Sequence, residues 1–197
     1  MTAAALFVLL AVQPALPGGL RGQVRSGSLE VRGAIVYLIP ERPDSSPASP
    51  DTAWIDQREI SFVPRVLVVS PGTTVLFRNS DPILHNVFSP AGAGAGFDLG
   101  TYPSPGARAQ HFAAPGAYVI LCHVHPEMVA FVVVVPTPYR AVVDPEGFFG
   151  IANVPSGRYH LHVWRRGAEP LEQEIHIVPG RLLELALELV PARRRKK

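Results

Sequence analysis

Apolar and polar positions alternate in short runs along most of the chain, with the period of two that a half-buried β-strand shows. Strands are expected at 54–62, 65–70, 73–78, 109–113, 118–122 and 129–135, and again at 141–143, 148–152, 158–164 and 171–177, some of them alternating and others apolar throughout. The stretch 182–189 has helical propensity, yet Leu183, Leu185, Leu187 and Leu189 alternate with Glu184, Ala186 and Glu188, which predicts a strand. Near the N-terminus, 23–39 reads as a short hairpin. Its second strand, 33–39, is apolar on both faces and is therefore expected to be buried. DPEG, VPSG, RRGAEP and VPG turns separate the later strands. With 21 Pro and 17 Gly interrupting 197 residues, long helices are excluded and an all-β architecture is predicted.

The punctuation divides the chain. Residues 1–20 carry no charged side chain before the first arginine and include the apolar run 3–12, too short to span a bilayer but suited to a secretory leader. Export to the periplasm or beyond is expected, with membrane attachment only if that segment stays uncleaved. The stretch 41–52, rich in Pro and Ser, reads as a linker between 21–40 and the strand-rich 53–136. Residues 137–191 form the last block and 192–197 a basic tail. Hydrophobic residues at 47% and charged residues at 17% imply a packed core rather than a disordered chain. Five of the 18 basic residues occupy 193–197, which leaves 13 against 16 acidic residues elsewhere, a net of about −3. No basic stripe interleaved with aromatics exists, so no nucleic-acid partner is expected.

Cys122 is the sole cysteine, so no intramolecular disulfide can form. It opens the run C-x-x-H-x-x-M, with His125 three residues on and Met128, the one methionine besides Met1, three further. Thiolate, imidazole and thioether at this spacing suit a soft copper site, in which two imidazoles and a thiolate bind with a weak axial thioether. One loop between two strands can carry three of these groups. The second imidazole must come from elsewhere, and His85 in DPILHNVFS, at the end of an apolar stretch, is the candidate. Tyr118, Ile120 and Cys122 share one strand face, which would aim the sulfur into the core.

These residues resemble the cupredoxins, the blue (type 1) copper proteins of the plastocyanin and azurin kind. The resemblance covers about 54–136, through SFVPRVLVVSPGTTVLFRNSDPILHNVFS and the amicyanin-like ligand loop CHVHPEM. It implies a Greek-key β-sandwich with one type 1 copper on His85, Cys122, His125 and Met128, and gives Asn86 the role of tying the two ligand loops together. QREISFVP, HNVFS and TPYRAVVDPEGFFGIANVPSGRYHLHVW are similar, more narrowly, to periplasmic plastocyanin-like proteins labelled methylamine utilisation proteins. The stretch 139–189 resembles a carboxypeptidase regulatory-like, transthyretin-type β-sandwich. The opening strand of that pattern is missing before Tyr139 but stands at 22–38 as GQVRSGSLEVRGAIVYL, which implies a split domain with the copper-binding block inserted.

The function expected from this resemblance is an exported carrier of single electrons cycling Cu(II)/Cu(I). The alternative is a periplasmic copper-binding or delivery protein. No enzymatic activity is expected: a multicopper oxidase needs eight imidazoles where the chain has seven His, and a dinuclear copper centre needs two Cys. A redox protein partner is expected to dock near His125, on a weakly apolar surface to which the Gly/Ala loop 90–96 contributes. His123 has the opposite parity to Cys122 and is expected to be exposed. His160 and His162 form an H-x-H pair on one strand face, which with His176 raises the question of a second metal.

Overall fold

The computed structural model describes residues 17–42 and 52–193. Within them the chain is all-β, with 16 strands. In order these are β1 (Gly18–Arg25), β2 (Ile35–Pro40), β3 (Thr52–Gln57), β4 (Phe62–Val63), β5 (Val66–Val69), β6 (Thr73–Asn79), β7 (His85–Ser89) and β8 (Phe97–Tyr102). There follow β9 (Gly106–Phe112), β10 (Gly116–Leu121), β11 (Val129–Val134), β12 (Arg140–Val142), β13 (Phe148–Val154), β14 (Gly157–Trp164), β15 (Leu171–Ile177) and β16 (Leu182–Glu188).

Two sheets, ordered β5-β11-β10-β7-β8 and β4-β3-β6-β9, enclose one hydrophobic cluster. Alternation decides what each strand contributes. Val75 and Phe77 of β6 point inward, as do Tyr118 and Ile120 of β10 and Val132 and Val134 of β11. Each fully buried side chain of this size stabilises the fold by about 1.5–3 kcal/mol relative to exposure. The other two sheets, β13-β1-β16 and β12-β2-β14-β15, enclose a second cluster that includes Leu20, Val36, Leu38, Ile151, Leu161, Ile177 and Leu187.

β2 and β11 are apolar on both faces. Their second faces meet: Ile35 packs in one cluster with Val133 and Val135, joined by Val66, Phe131 and Trp164. The Phe131 and Trp164 rings lie 5.4 Å apart, Arg166 sits over Phe131, and Arg140 donates to Ser70 Oγ at 3.0 Å across the same seam.

Three expectations are corrected. β1 and β2 do not form a hairpin. β1 runs parallel to β16 and antiparallel to β13, whereas β2 pairs with β12 and β14 in the facing sheet, so the connection between them crosses from one sheet to the other. A leader ending at residue 20 conflicts with β1, because Gly18, Gly19 and Leu20 are its first residues and Leu20 is in the core; residues 1–16 lie outside the described residues. The single strand at 54–62 is instead β3 and β4, antiparallel to one another. Between them Glu59 and Ile60 both take φ near +53°, a left-handed turn that alternation of side chains cannot reveal. The linker at 41–52 and the tail at 192–197 fall largely outside the described residues.

Candidate metal centre

His85 opens β7 and is fully buried, while Cys122, 4% exposed, follows the last residue of β10. His125 and Met128 lie in the loop that leads into β11. One donor atom each from His85, Cys122 and His125 lie within 4.8 Å of one another. Met128 is buried in the same hydrophobic cluster as Cys122, and its amide donates to the His125 carbonyl at 3.0 Å, which closes the loop into a turn. Sequence positions 85 and 122 come together because β7 and β10 are antiparallel neighbours, with Leu121 opposite Phe88.

The two imidazoles face each other through Nδ1, at 3.0 Å. About this separation is expected of two nitrogens that share one cation at bonds of roughly 2 Å. The other nitrogen of His85, Nε2, lies 2.7 Å from Asp81 Oδ2. A carboxylate accepts only, so Nε2 carries the proton and Nδ1 presents its lone pair toward Cys122 and His125.

Asp81 is itself held. Its Oδ1 accepts from the Glu59 amide at 2.7 Å and its Oδ2 from the Ile60 amide at 2.9 Å, the two residues of the left-handed turn. Its own amide donates to Asn79 Oδ1 at 3.0 Å, and Asn79 Nδ2 donates to the carbonyls of Ile83 and Tyr102. Burial pushes the Asp81 carboxyl up, but the Ile60 amide, the His85 ring and the Glu59 amide together outweigh it and hold the group below the usual carboxylate range.

Asn86 makes the second set of ties. Its amide donates to Cys122 Sγ at 3.4 Å, its side-chain oxygen accepts from the His123 amide at 3.3 Å, and its Nδ2 donates to Asp98 Oδ1 at 2.7 Å. The Gly100 amide and the Asn86 side chain lower the Asp98 carboxyl below its ordinary value. His123 is exposed, stacked on Phe88 at 3.7 Å between ring centroids, with Nε2 3.4 Å from Asp98. It is not part of the donor cluster.

The donor set fits copper on chemical grounds: a buried sulfur that accepts one amide hydrogen bond, and two imidazoles, one of them fixed in orientation by a carboxylate. Asp81 and Asp98 were not legible in the sequence as parts of a site. The only signal for Asp81 is its place four residues before His85 in a loop, and for Asp98 there was none.

The Gly/Ala loop 90–96 is not beside His125. A Cβ on Gly116 would meet Ala93 at 2.4 Å, and one on Gly94 would meet the Tyr118 hydroxyl, so the loop packs at the start of β10. Six strand residues separate that point from Cys122, roughly 20 Å at about 3.3 Å per residue. The exposed apolar residues that flank the ligands in the chain are instead Ile83, Leu84 and Val124.

No family model and no curated protein matches the sequence. Among solved structures, a copper-containing nitrite reductase from Thermus scotoductus is similar over 50% of this chain at 24% identity with a TM-score of 0.42. The similar part spans 26% of that chain, about a quarter of its length. A purple cupredoxin from Nitrosopumilus maritimus is similar over 42% of this chain and 99% of its own, at 26% identity and a TM-score of 0.39. A mutant of amicyanin in its reduced Cu(I) form is similar over 51% of this chain and 98% of its own, at 26% identity and a TM-score of 0.41.

Proposed function

We propose that this protein is an exported electron carrier that binds one type 1 copper ion through His85, Cys122, His125 and Met128. The observation that carries the reading is the convergence of the His85, Cys122 and His125 donor atoms within 4.8 Å, from the start of β7 and the loop after β10, with Met128 buried in the same cluster as Cys122. When bound, the copper supplies a one-electron Cu(II)/Cu(I) couple. The chain's own contribution is to keep the donors in one arrangement: Asp81 fixes His85, and Asn86 holds the sulfur and the His123 amide together. A site held in this way changes little between oxidation states, which favours outer-sphere transfer over bond-making.

His125 is the least buried of the ligands, so electrons pass through its ring edge to a redox protein that docks over Leu84, Val124 and Pro126. In this reading the sheets built from β1, β2 and β12–β16 are a transthyretin-like module of residues 21–40 and 137–191, into which the copper module of residues 53–136 is inserted. The protein catalyses no reaction of its own.

Stoichiometric Cu(II) added to the apo protein should produce an intense visible thiolate-to-copper band and a narrow-hyperfine EPR signal. A colourless wild-type protein would sink the reading. Copper lost on reduction, rather than retained through repeated cycles, would favour delivery over electron transfer.

A further inference from the structure

Four residues on the face of β14 and β15 that points away from their own core have no part in the centre described above. Tyr159, Leu161 and Val163 of β14 fill the core, so strand alternation turns His160 and His162 outward together. β15 runs antiparallel beside it with Glu174 opposite His160 and Glu172 opposite His162. Both imidazoles converge on one carboxylate: His160 Nδ1 lies 3.7 Å from Glu172 Oε1, and His162 Nδ1 lies 3.9 Å from Glu172 Oε2. On the other side β2 brings Tyr37 opposite His162, with the rings stacked at 5.0 Å and 12°.

We propose that His160, His162 and Glu172 form a second metal site, for a borderline divalent cation such as Cu(II) or Zn(II). Two imidazoles and a carboxylate are the donors these ions take. The separations of 3.7 and 3.9 Å are too long for hydrogen bonds. They exceed by a few tenths of an ångström the roughly 3–3.5 Å between donors that share one cation at bonds of about 2.0–2.2 Å, but the rings face different oxygens of Glu172 and the three donors do not all lie within 4.8 Å of one another, so a cation would have to draw the two rings together. Alternate residues on one strand face stand about 6.6 Å apart, a span two imidazole side chains can close onto one ion.

Two further observations fit a cation at this point. Among the described residues Glu172 pairs with no Arg or Lys, so its charge is met only by the two rings. Burial, and after it the Glu172 carboxylate, pushes the Tyr37 phenol upward. The His162 and His160 side chains are 25% and 37% exposed, so a cation held here exchanges with solvent. His176 lies opposite Arg158, farther along β15, and is not one of the ligands.

The test is a two-by-two titration of tag-free, full-length apo protein, with Zn(II) followed by calorimetry and Cu(II) by EPR. Wild type should bind two equivalents, the second giving an ordinary tetragonal Cu(II) signal. His160→Gln/His162→Gln should lose that second equivalent and keep the first. Cys122→Ser should lose the first and keep the second, so failure of either site is read separately. Glu172→Gln should weaken the second site, and His176→Gln should leave it unchanged. Circular dichroism should report a native fold for every variant, and the single His160→Gln variant serves if the double one does not fold. A second equivalent that persists in the His160 and His162 variants, or wild type that binds one equivalent only, overturns the proposal.

Discussion

The two histidine clusters of this chain are built in opposite ways. The one at His85, Cys122 and His125 is buried, and its histidine at β7 is fixed through a chain of hydrogen bonds that runs from His85 to Asp81 and on to the Glu59 and Ile60 amides. The one at His160 and His162 lies on a partly exposed sheet face that runs into the seam at Tyr37 and Trp164, is aligned by strand register, and has one stacked ring for support. Strand alternation suffices to put two imidazoles side by side. Holding donors apart and dry enough to fix a redox couple takes loops, and those loops need partners of their own.

The largest effect that separates the two should come from Cys122→Ser, which should abolish the visible charge-transfer band altogether while leaving metal binding at His160 and His162 intact. Absorption and EPR spectra of the same samples check both halves. Next is Asp81→Ala, which removes the acceptor of two backbone amides and of a buried imidazole. It should lower the unfolding free energy of the apo protein by about 2–3 kcal/mol in urea titrations. His160→Gln/His162→Gln should change it by less than about 0.5 kcal/mol, and a larger loss would mean that the open cluster is structurally braced after all.

The pH dependence of the apo protein sharpens the contrast. Asp81 has a lowered folded pKa, so its contribution to stability is complete above the ordinary carboxylate value near pH 4 and is lost as pH falls through the lower folded value. The stability gap between wild type and Asp81→Asn should therefore be constant from about pH 5 to 7 and narrow below about pH 4. The smallest effect concerns the surface. Val124→Glu should slow electron exchange with a protein partner by about tenfold, whereas Ala93→Glu, on the loop at the far end of β10, should change neither the rate nor the spectrum.

How far the sequence reached is clearest at these same residues. Cys122, His125 and Met128 were legible because a single loop carries all three at a fixed spacing, and His85 because it is a lone histidine ending an apolar stretch. The all-β fold followed from short strand-like runs and frequent Pro and Gly, and the apolar run at β2 marked one side of the seam, though nothing in it said that it faced β11. Asp81 escaped notice because its role depends on a left-handed turn at Glu59 and Ile60, more than 20 residues away, and no local periodicity encodes such a contact. The expected hairpin at 23–39 failed for a related reason. Strands close in sequence were assumed to pair, but β1 finds its partners in β13 and β16.

That last pairing has a consequence for the order in which the chain can fold. β1 lies parallel to β16, in register from Gly19 with Leu182 to Arg25 with Glu188, so the first described strand completes its sheet only with the last. The strands from β3 to β11 form a contiguous set and can close around their core as soon as residue 135 has emerged. β1 and β2 meanwhile wait with open edges until β12 to β16 have followed. The edge charges Arg21 and Arg25 suit that interval, since exposed charge on an unpaired strand discourages pairing with the wrong neighbour. Nascent-chain release would then show the copper-binding part protease-resistant while the N-terminal strands were still cleavable.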